Sequence, residues 1–412
     1  MRRTLVRYTI MLLFVIYFTA VVFLLYALLL LYYRYGWSKT TGIGSTSQPL
    51  AASLPRISVI IPARNEAGHL PGLLKALVAQ TYPPESFEII VVDDHSTDGT
   101  ATIVHNFYEL YGSKYEIKLV SLKDHLGGTS INSYKKKAIE TAIGLCSGSL
   151  LVNTDADCTM GPQWLETIAR CYMQEQPEMI VMPVNIAPAK KLIEIFQSLD
   201  FMTLQGITGA AVEQNLHSMC NGANLAYTRK SFEAVEGFRG VDHIASGDDM
   251  LLMHKIKKAF PGKIRYLRDE RIIVQTRPVS TVAAFFQQRI RWASKSGQYE
   301  DRSLMPVLGL VYLFNLLLLT LGIYSLFDCE PIMIAGCAMS ACTAFLCLLL
   351  FKTIIELFFL WPVACFFKQL AAINLVSVHA TTAYFVHRYS RLPGQGRALS
   401  VERQNSKIKI AM

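Results

Sequence analysis

Apolar residues along this chain are blocked rather than spread, and the blocks separate an apolar start, a mixed middle and an apolar carboxyl-terminal part. Residues 9–33 are almost uninterrupted in apolar character, exceeding the ~20 residues an α-helix needs to cross a bilayer. A secretory signal has a shorter apolar core and a small-residue cleavage site. Neither is seen, so residues 1–37 are predicted to hold a retained anchor. Near the other end, spans are predicted at about 304–327 and 331–351. Glu356, Pro362 and Lys368 then interrupt the pattern. This predicts an interfacial helix at about 353–368 and a span at about 370–387, with two short spans as the competing reading.

Between these blocks the period changes. Residues 38–55 read as a linker rich in Ser, Thr and Gly. Ile57-Ser58-Val59-Ile60-Ile61 reads as a buried strand stopped by Pro62, and Leu70, Leu73, Leu74 and Leu77 mark one face of a helix over 70–79. Strands at 87–92, 118–121 and 149–153 alternate with helices at 100–111 and 135–144. That alternation predicts a mostly parallel α/β sheet within a domain over 56–300. Ligands of such sheets bind beyond the carboxyl ends of the strands. Those ends here carry Pro62-Ala63-Arg64-Asn65-Glu66, Asp93-Asp94 and Asp155-Ala156-Asp157, so polar residues converge at one edge.

Composition narrows the chemistry. The net charge of +9 over 412 residues is scattered, and the basic tail at 391–412 lacks interleaved aromatics, which excludes a nucleic-acid partner. That tail suits an anionic leaflet. The 9 cysteines include no CxxC pair and read as small buried apolar residues of a reduced compartment. No GxGxxG follows a strand, and no GxxxxGK, HExxH or GxSxG occurs, so dinucleotide, P-loop, zincin and serine-hydrolase chemistry are set aside.

The acidic clusters then carry the argument. Asp155 and Asp157, two apart at a strand end, can share a hard divalent ion, Mg²⁺ or Mn²⁺, with a diphosphate; the plainer role is a helix-capping turn. Asp93 and Asp94 suit a nucleobase or ribose, or an Asp-rich turn. Asp248 and Asp249 precede an apolar-periodic helix, as caps or with one carboxylate as a general base. Gln288-Arg289-Ile290-Arg291-Trp292 places cations and an indole just before an apolar run, suited to a departing diphosphate and a sugar ring, or to a headgroup anchor.

Taken in order, Ser58-Val59-Ile60-Ile61-Pro62-Ala63-Arg64-Asn65-Glu66, Val91–Thr100, the Asp155–Asp157 motif, Asp248-Asp249 and Gln288–Trp292 resemble the membrane-integrated family 2 glycosyltransferases, the branch of hyaluronan, chitin and cellulose synthases. The resemblance implies a GT-A fold and inverting, metal-dependent transfer from a nucleotide sugar, a UDP-sugar by preference. By it, Pro62, Glu66, Asp93 and Asp94 line the nucleotide pocket, and Lys135 joins them although Tyr134 replaces the family's glycine. Asp155 and Asp157 hold the metal, and Asp249 is the base. Asp248, Gln288, Arg289, Arg291 and Trp292 serve acceptor and diphosphate, and 221–225 lies where acceptor-facing residues are expected. Fewer carboxyl-terminal spans than in those synthases leave a homo-oligomer or partner subunit to supply helices.

Nucleotide sugars are cytoplasmic, so the domain is expected on the inner face of a bacterial plasma membrane, with a glycan or lipid acceptor. Arg2, Arg3 and Arg7 before the first span bias the topology mildly the other way. The competing class is a non-catalytic, sugar-nucleotide-binding subunit of a polysaccharide synthase.

Overall fold

A computed structural model describes residues 2–44, 53–127, 131–293, 301–327, 348–350 and 352–356. An apolar helix α1 (Arg2–Lys39) leads into the domain. Then follow β1 (Ile57–Ala63), α2 (Leu70–Val78), β2 (Phe87–Asp93), α3 (Thr100–Tyr111), β3 (Glu116–Ser121), the short α4 (Leu122–Leu126), α5 (Tyr134–Leu145) and β4 (Leu150–Asn153). The second half runs α6 (Trp164–Glu175), β5 (Met179–Val181), β6 (Val184–Ile186), α7 (Leu192–Glu213), β7 (Leu225–Thr228), α8 (Arg229–Ala234) and α9 (Asp248–Ala259). It closes with β8 (Ile264–Tyr266), β9 (Val274–Thr276), α10 (Val282–Ala293) and α11 (Leu304–Phe327).

Seven strands form one sheet in the order β3-β2-β1-β4-β7-β5-β8, and β6 pairs with β9. Only β7 runs antiparallel, against both β4 and β5; the remaining pairs are parallel. This is the expected Rossmann-like, mostly parallel GT-A arrangement. The apolar runs of β1 and β2 are buried along nearly their whole length, as helix-covered parallel strands require. Leu70, Leu73, Leu74 and Leu77 are fully buried, so the predicted face of α2 is the packed one.

Pro62 does not stop β1, contrary to the sequence reading; the strand continues to Ala63, with Pro62 opposite Val92. Thr154 N–H donates to the Ile60 carbonyl and Asp94 N–H to the Ala63 carbonyl, so residues 58, 60 and 62 face β4. By Pro62, β4 has ended at Asn153. Pro62 thus stands at the end of the β4 ladder, where its missing N–H ends the pairing on that side without ending the strand.

The amino edge of the sheet is locked by Glu88, which is fully buried. Its carboxylate accepts from Ser58 Oγ at 2.7 Å, Ser147 N–H at 2.6 Å and Lys118 Nζ at 2.7 Å. Burial pulls its pKa upward, but the Lys118 ammonium and the Ser147 and Ser58 donors outweigh this and hold it at about 2 against an ordinary 4.5. A depression of that size corresponds to on the order of 3 kcal/mol. With the folded pKa below the unfolded one, this stability is complete above the ordinary range and is lost as pH falls from 4.5 towards 2. Glu88→Gln is expected to lose about 3 kcal/mol at neutral pH. It should also lose less than the parent between those two pH values. Denaturant unfolding at stepped pH would show this; equal acid slopes would assign the sensitivity elsewhere.

Helices α1 and α11 are each long and apolar enough to cross a membrane by length and composition. Their contact includes Phe23 and Tyr26 against Phe314, with ring centroids 5.7 and 5.0 Å apart. Outer faces such as Phe14, Tyr17, Tyr312 and Leu319 are exposed. The last turns of α1 belong to the domain's packing: Tyr33 and Trp37 are buried, Trp37 against Tyr266 and under Arg268. Thr40–Gly44, assigned to the linker by sequence, lie against the domain too. Arg268 N–H donates to the Thr41 carbonyl and Arg271 to that of Ile43. The spans expected at 331–351 and 370–387, most of the interfacial helix at 353–368 and the tail at 391–412 lie outside the described residues, apart from helical 348–350 and 352–356.

Candidate active site

The carboxyl edge of the sheet gathers most of the sequence-predicted residues into two adjoining groups. In the first, the loops after β1 and β2 are knitted together. Asn65 N–H donates to Ser96 Oγ at 3.0 Å, Thr97 N–H to Asn65 Oδ1 at 2.8 Å, and Glu66 N–H to Thr100 Oγ1 at 2.9 Å. Asp98 accepts from Ala67 and Thr100 N–H. The Ser-Thr-Asp-Gly turn is thus a loop clamp. Asp93 is part of it, accepting Ser96 N–H at 3.2 Å. Asp94 instead turns to His95, at 2.9 Å, and to Arg64, at 3.7 Å. Pro62 and Glu66 are half-buried beside them, Glu66 paired with His69 at 2.8 Å.

The second group centres on Lys135. Its Nζ lies 2.6 Å from Asp155 Oδ1 and 3.6 Å from Asp248 Oδ2. Burial would lower its pKa, but the Asp155, Asp248 and Asp249 carboxylates outweigh that and hold it above the ordinary lysine range. The sequence reading put Lys135 with the nucleotide residues; its direct partners are the carboxylates of the other two motifs. Tyr134 links the groups, its ring 5.3 Å from His95 and 5.9 Å from the Arg64 guanidinium.

Asp248 and Asp249 lie in the first turn of α9, where acids suit the helix N-terminus, but the N-cap is Gly247 and no side chain caps it; Asp249 Oδ1 accepts Met250 N–H at 2.8 Å. Its other oxygen accepts Gly222 N–H at 3.0 Å. A Cβ on Gly222 would sit 3.2 Å from Asp248 Oδ2, so this approach of backbone to carboxylates favours glycine. Of the stretch 221–225, Asn224 is structural: fully buried, it bonds Trp164 Nε1 and the Pro183 and Ile272 carbonyls.

Asp155 and Asp157 are half-buried on either side of buried Ala156, and Asp157 Oδ2 accepts from Thr276 Oγ1 at 2.9 Å. That bond ties the motif to the end of β9, just upstream of α10. On α10, Arg289 pairs with Asp200 of α7 and lies over the rings of Phe285 and Trp292, 4.9 and 4.5 Å from their centroids. Burial lowers its pKa, with Asp200 opposing. Arg289 therefore anchors α10 to α7. Trp292 packs on the core beside Phe201, while Arg291 is exposed. Gln288 Oε1 is buried with no hydrogen-bond partner among the described residues.

Gly222 fell within the stretch 221–225 expected to face the acceptor, but nothing in the sequence singled out its bond to Asp249; a second contributor escaped the sequence reading altogether. Lys136, inside a run of lysines, is almost wholly buried, and its Nζ donates to the Val241 and Ile244 carbonyls at 2.7 Å, bracing the loop before α9. A lysine on the apolar side of a helix was the available signal: Lys136 shares its face with Ile139 and Ile143.

Known proteins resemble this chain in sequence and in fold. The Glycosyl transferase family 2 pattern matches residues 58–236, and the Glycosyl transferase family group 2 pattern matches 151–355. The chain is 28% identical over 255 residues to Probable glycosyltransferase YdaM of Bacillus subtilis, covering 60% of this chain and 56% of that protein. It is 37% identical over 117 residues to Glycosyltransferase AglE of Haloferax volcanii, 28% of this chain and 35% of that one. Beta-monoglucosyldiacylglycerol synthase of Nostoc sp. is 24% identical over 296 residues, 67% and 57% of the two chains. The chain thus spans between 35% and 57% of the length of these relatives. In fold it resembles the mannosyltransferase PcManGT from Pyrobaculum calidifontis, solved with GDP-Man and Mn²⁺, at TM-score 0.50, 19% identity and 93% coverage of both chains. With the sheet, its acidic edge and the helix bearing Gln288–Trp292 all inside the two overlapping matches, the chain belongs to the family 2 glycosyltransferases.

Proposed function

We propose that this protein moves a sugar from a nucleotide-sugar donor, of the UDP class, to a glycan or lipid acceptor at the cytoplasmic face of a membrane, with inversion. The observation that supports the reading is that Lys135 Nζ pairs with Asp155 and lies 3.6 Å from Asp248, the neighbour of Asp249, so the motif read as metal-binding and the motif read as the base adjoin. The base reading gives Asp249 the acceptor hydroxyl's proton. The freed oxygen attacks the anomeric carbon, and the bond to the nucleoside diphosphate breaks. Pro62, Glu66, Asp93 and Asp94 face the nucleoside, with Asp93 acting through the loop. Gln288, Arg291 and Trp292 receive diphosphate and acceptor, with Arg289 holding their helix against α7. The two apolar helices and the Nostoc relative's lipid-linked name support a membrane setting and a lipid acceptor. A homo-oligomer or partner subunit would complete a glycan path.

Asp155 and Asp157 fit Mg²⁺ or Mn²⁺ as hard oxygen donors, and a pair suffices where substrate phosphates complete the shell. Among the described residues no group of three His, Cys, Asp or Glu is placed to hold a metal ion, so the assignment rests on this pair. Such an ion would offset charge on the departing diphosphate.

Purified full-length protein in lipid, offered a panel of nucleotide sugars and lipid or oligosaccharide acceptors, should give a transfer product by mass spectrometry with one donor class. Chelation is expected to cut that rate at least about 100-fold, with Mn²⁺ or Mg²⁺ restoring it. Full activity under chelation would remove the metal assignment. Release of free sugar alone across all acceptors would remove the transfer reading.

A further inference from the structure

The segment between α7 and β7 is tied at both ends. At its head, His217 is buried, and its Nε2 meets the Tyr33 hydroxyl of α1 at 2.7 Å, the rings edge to face. The next residue, Ser218, donates through N–H and Oγ to one oxygen of Asp301, at 2.7 and 2.9 Å, just before α11 begins. Asp301 also accepts from Ser303, and these donors outweigh burial to hold its pKa at about 2. At the tail, Gly222 N–H donates to Asp249 Oδ2. The Cys220 thiol between them has its pKa pushed up by burial and by the Asp249 and Asp248 carboxylates. The two apolar helices and the proposed base therefore hold opposite ends of one short strap.

We infer that Tyr33, His217, Ser218 and Asp301 are positioning residues for Asp249: through the strap over 217–222 they register Gly222, and so the Asp249 carboxylate, to α1 and α11. The inference rests on Asp249 being the base. A backbone N–H that donates to a carboxylate oxygen helps fix its direction, and small misplacement at a reacting centre costs turnover more than binding. The strap's bonds run to Tyr33, Asp301 and Asp249, and it approaches Lys135 only through the Gly222 backbone, where a Cβ would sit 3.7 Å from Nζ, so the effect on donor binding is expected to be small.

The test uses full-length protein in lipid, comparing kcat and donor KM for Tyr33→Phe, Ser218→Ala, Asp301→Ala and Asp301→Asn. Each is expected to lower kcat about tenfold, the worth of one well-placed hydrogen bond, with donor KM within about twofold. Asp301→Asn, which keeps an acceptor oxygen, should recover part of what Asp301→Ala loses. Built into Asp249→Asn, the same changes should cost nothing more, because they act through the group already removed. Undiminished turnover in Asp249→Asn would overturn the base assignment and this inference with it. An inactive Asp249→Asn beside full kcat in Tyr33→Phe and Ser218→Ala would overturn the inference alone. So would losses that add in the double variants. Should Asp301→Ala fail to fold, Ser218→Ala, which deletes a single side-chain bond, carries the same comparison.

Discussion

Asp249→Asn is expected to lower turnover by about 10²–10⁴-fold, the usual contribution of a general base, while donor affinity stays within about twofold. The amide is nearly isosteric. Its oxygen can keep the Gly222 N–H bond, so the start of α9 and the strap stay in place. What disappears is the ability to take a proton from the acceptor hydroxyl. Pre-steady-state and steady-state rates on the identified donor would measure it, with donor binding by calorimetry as the control. A variant that retains the parent's kcat would sink the base assignment. A loss confined to donor affinity would move Asp249 to the nucleotide side.

Lys135→Met should be nearly as severe, with turnover down about 100-fold and donor KM up about tenfold. Its ammonium touches Asp155 and sits close to Asp248, and the three nearby carboxylates are what hold its charge. Without it, like charges face one another at the same edge and must spread or take up protons. Either response misplaces the motif proposed to receive the diphosphate. The side chain is 38% accessible, so solvent screens much of the pairing energy and the melting temperature should move little. Lys135→Arg should recover part of the rate, since it restores charge but not the compact geometry. Kinetics of Lys135→Met within about threefold of the parent would take Lys135 out of the site.

Much of the fold could be read from pattern because parallel strands covered by helices leave a strong trace. β1 and β2 are apolar along nearly every residue, and α2 repeats leucines at helical spacing. Helix α3 matches its expected limits of 100 and 111 for the same reason. The short strands β5, β6, β8 and β9, three residues each, left no such trace; tertiary pairing, not local propensity, makes them strands. Pro62 misled by a rule that holds only when a neighbouring strand needs its N–H. The candidate-site residues at the sheet edge were legible as charged clusters following apolar runs. Their partners were not, because contact across 20 residues, as between Lys135 and Asp155, leaves no periodicity.

By itself, the sequence determined which residues can carry charge at the sheet edge, which runs are apolar enough for a bilayer, and the order of motifs that places the chain in its family. Those are properties of single side chains and short repeats. Only the tertiary structure decided that Lys135 serves the acidic motifs, that Arg289 is committed to Asp200, and that Gly222 holds Asp249. Each is a pairing between distant segments, set by packing and by the need of buried polar groups for partners.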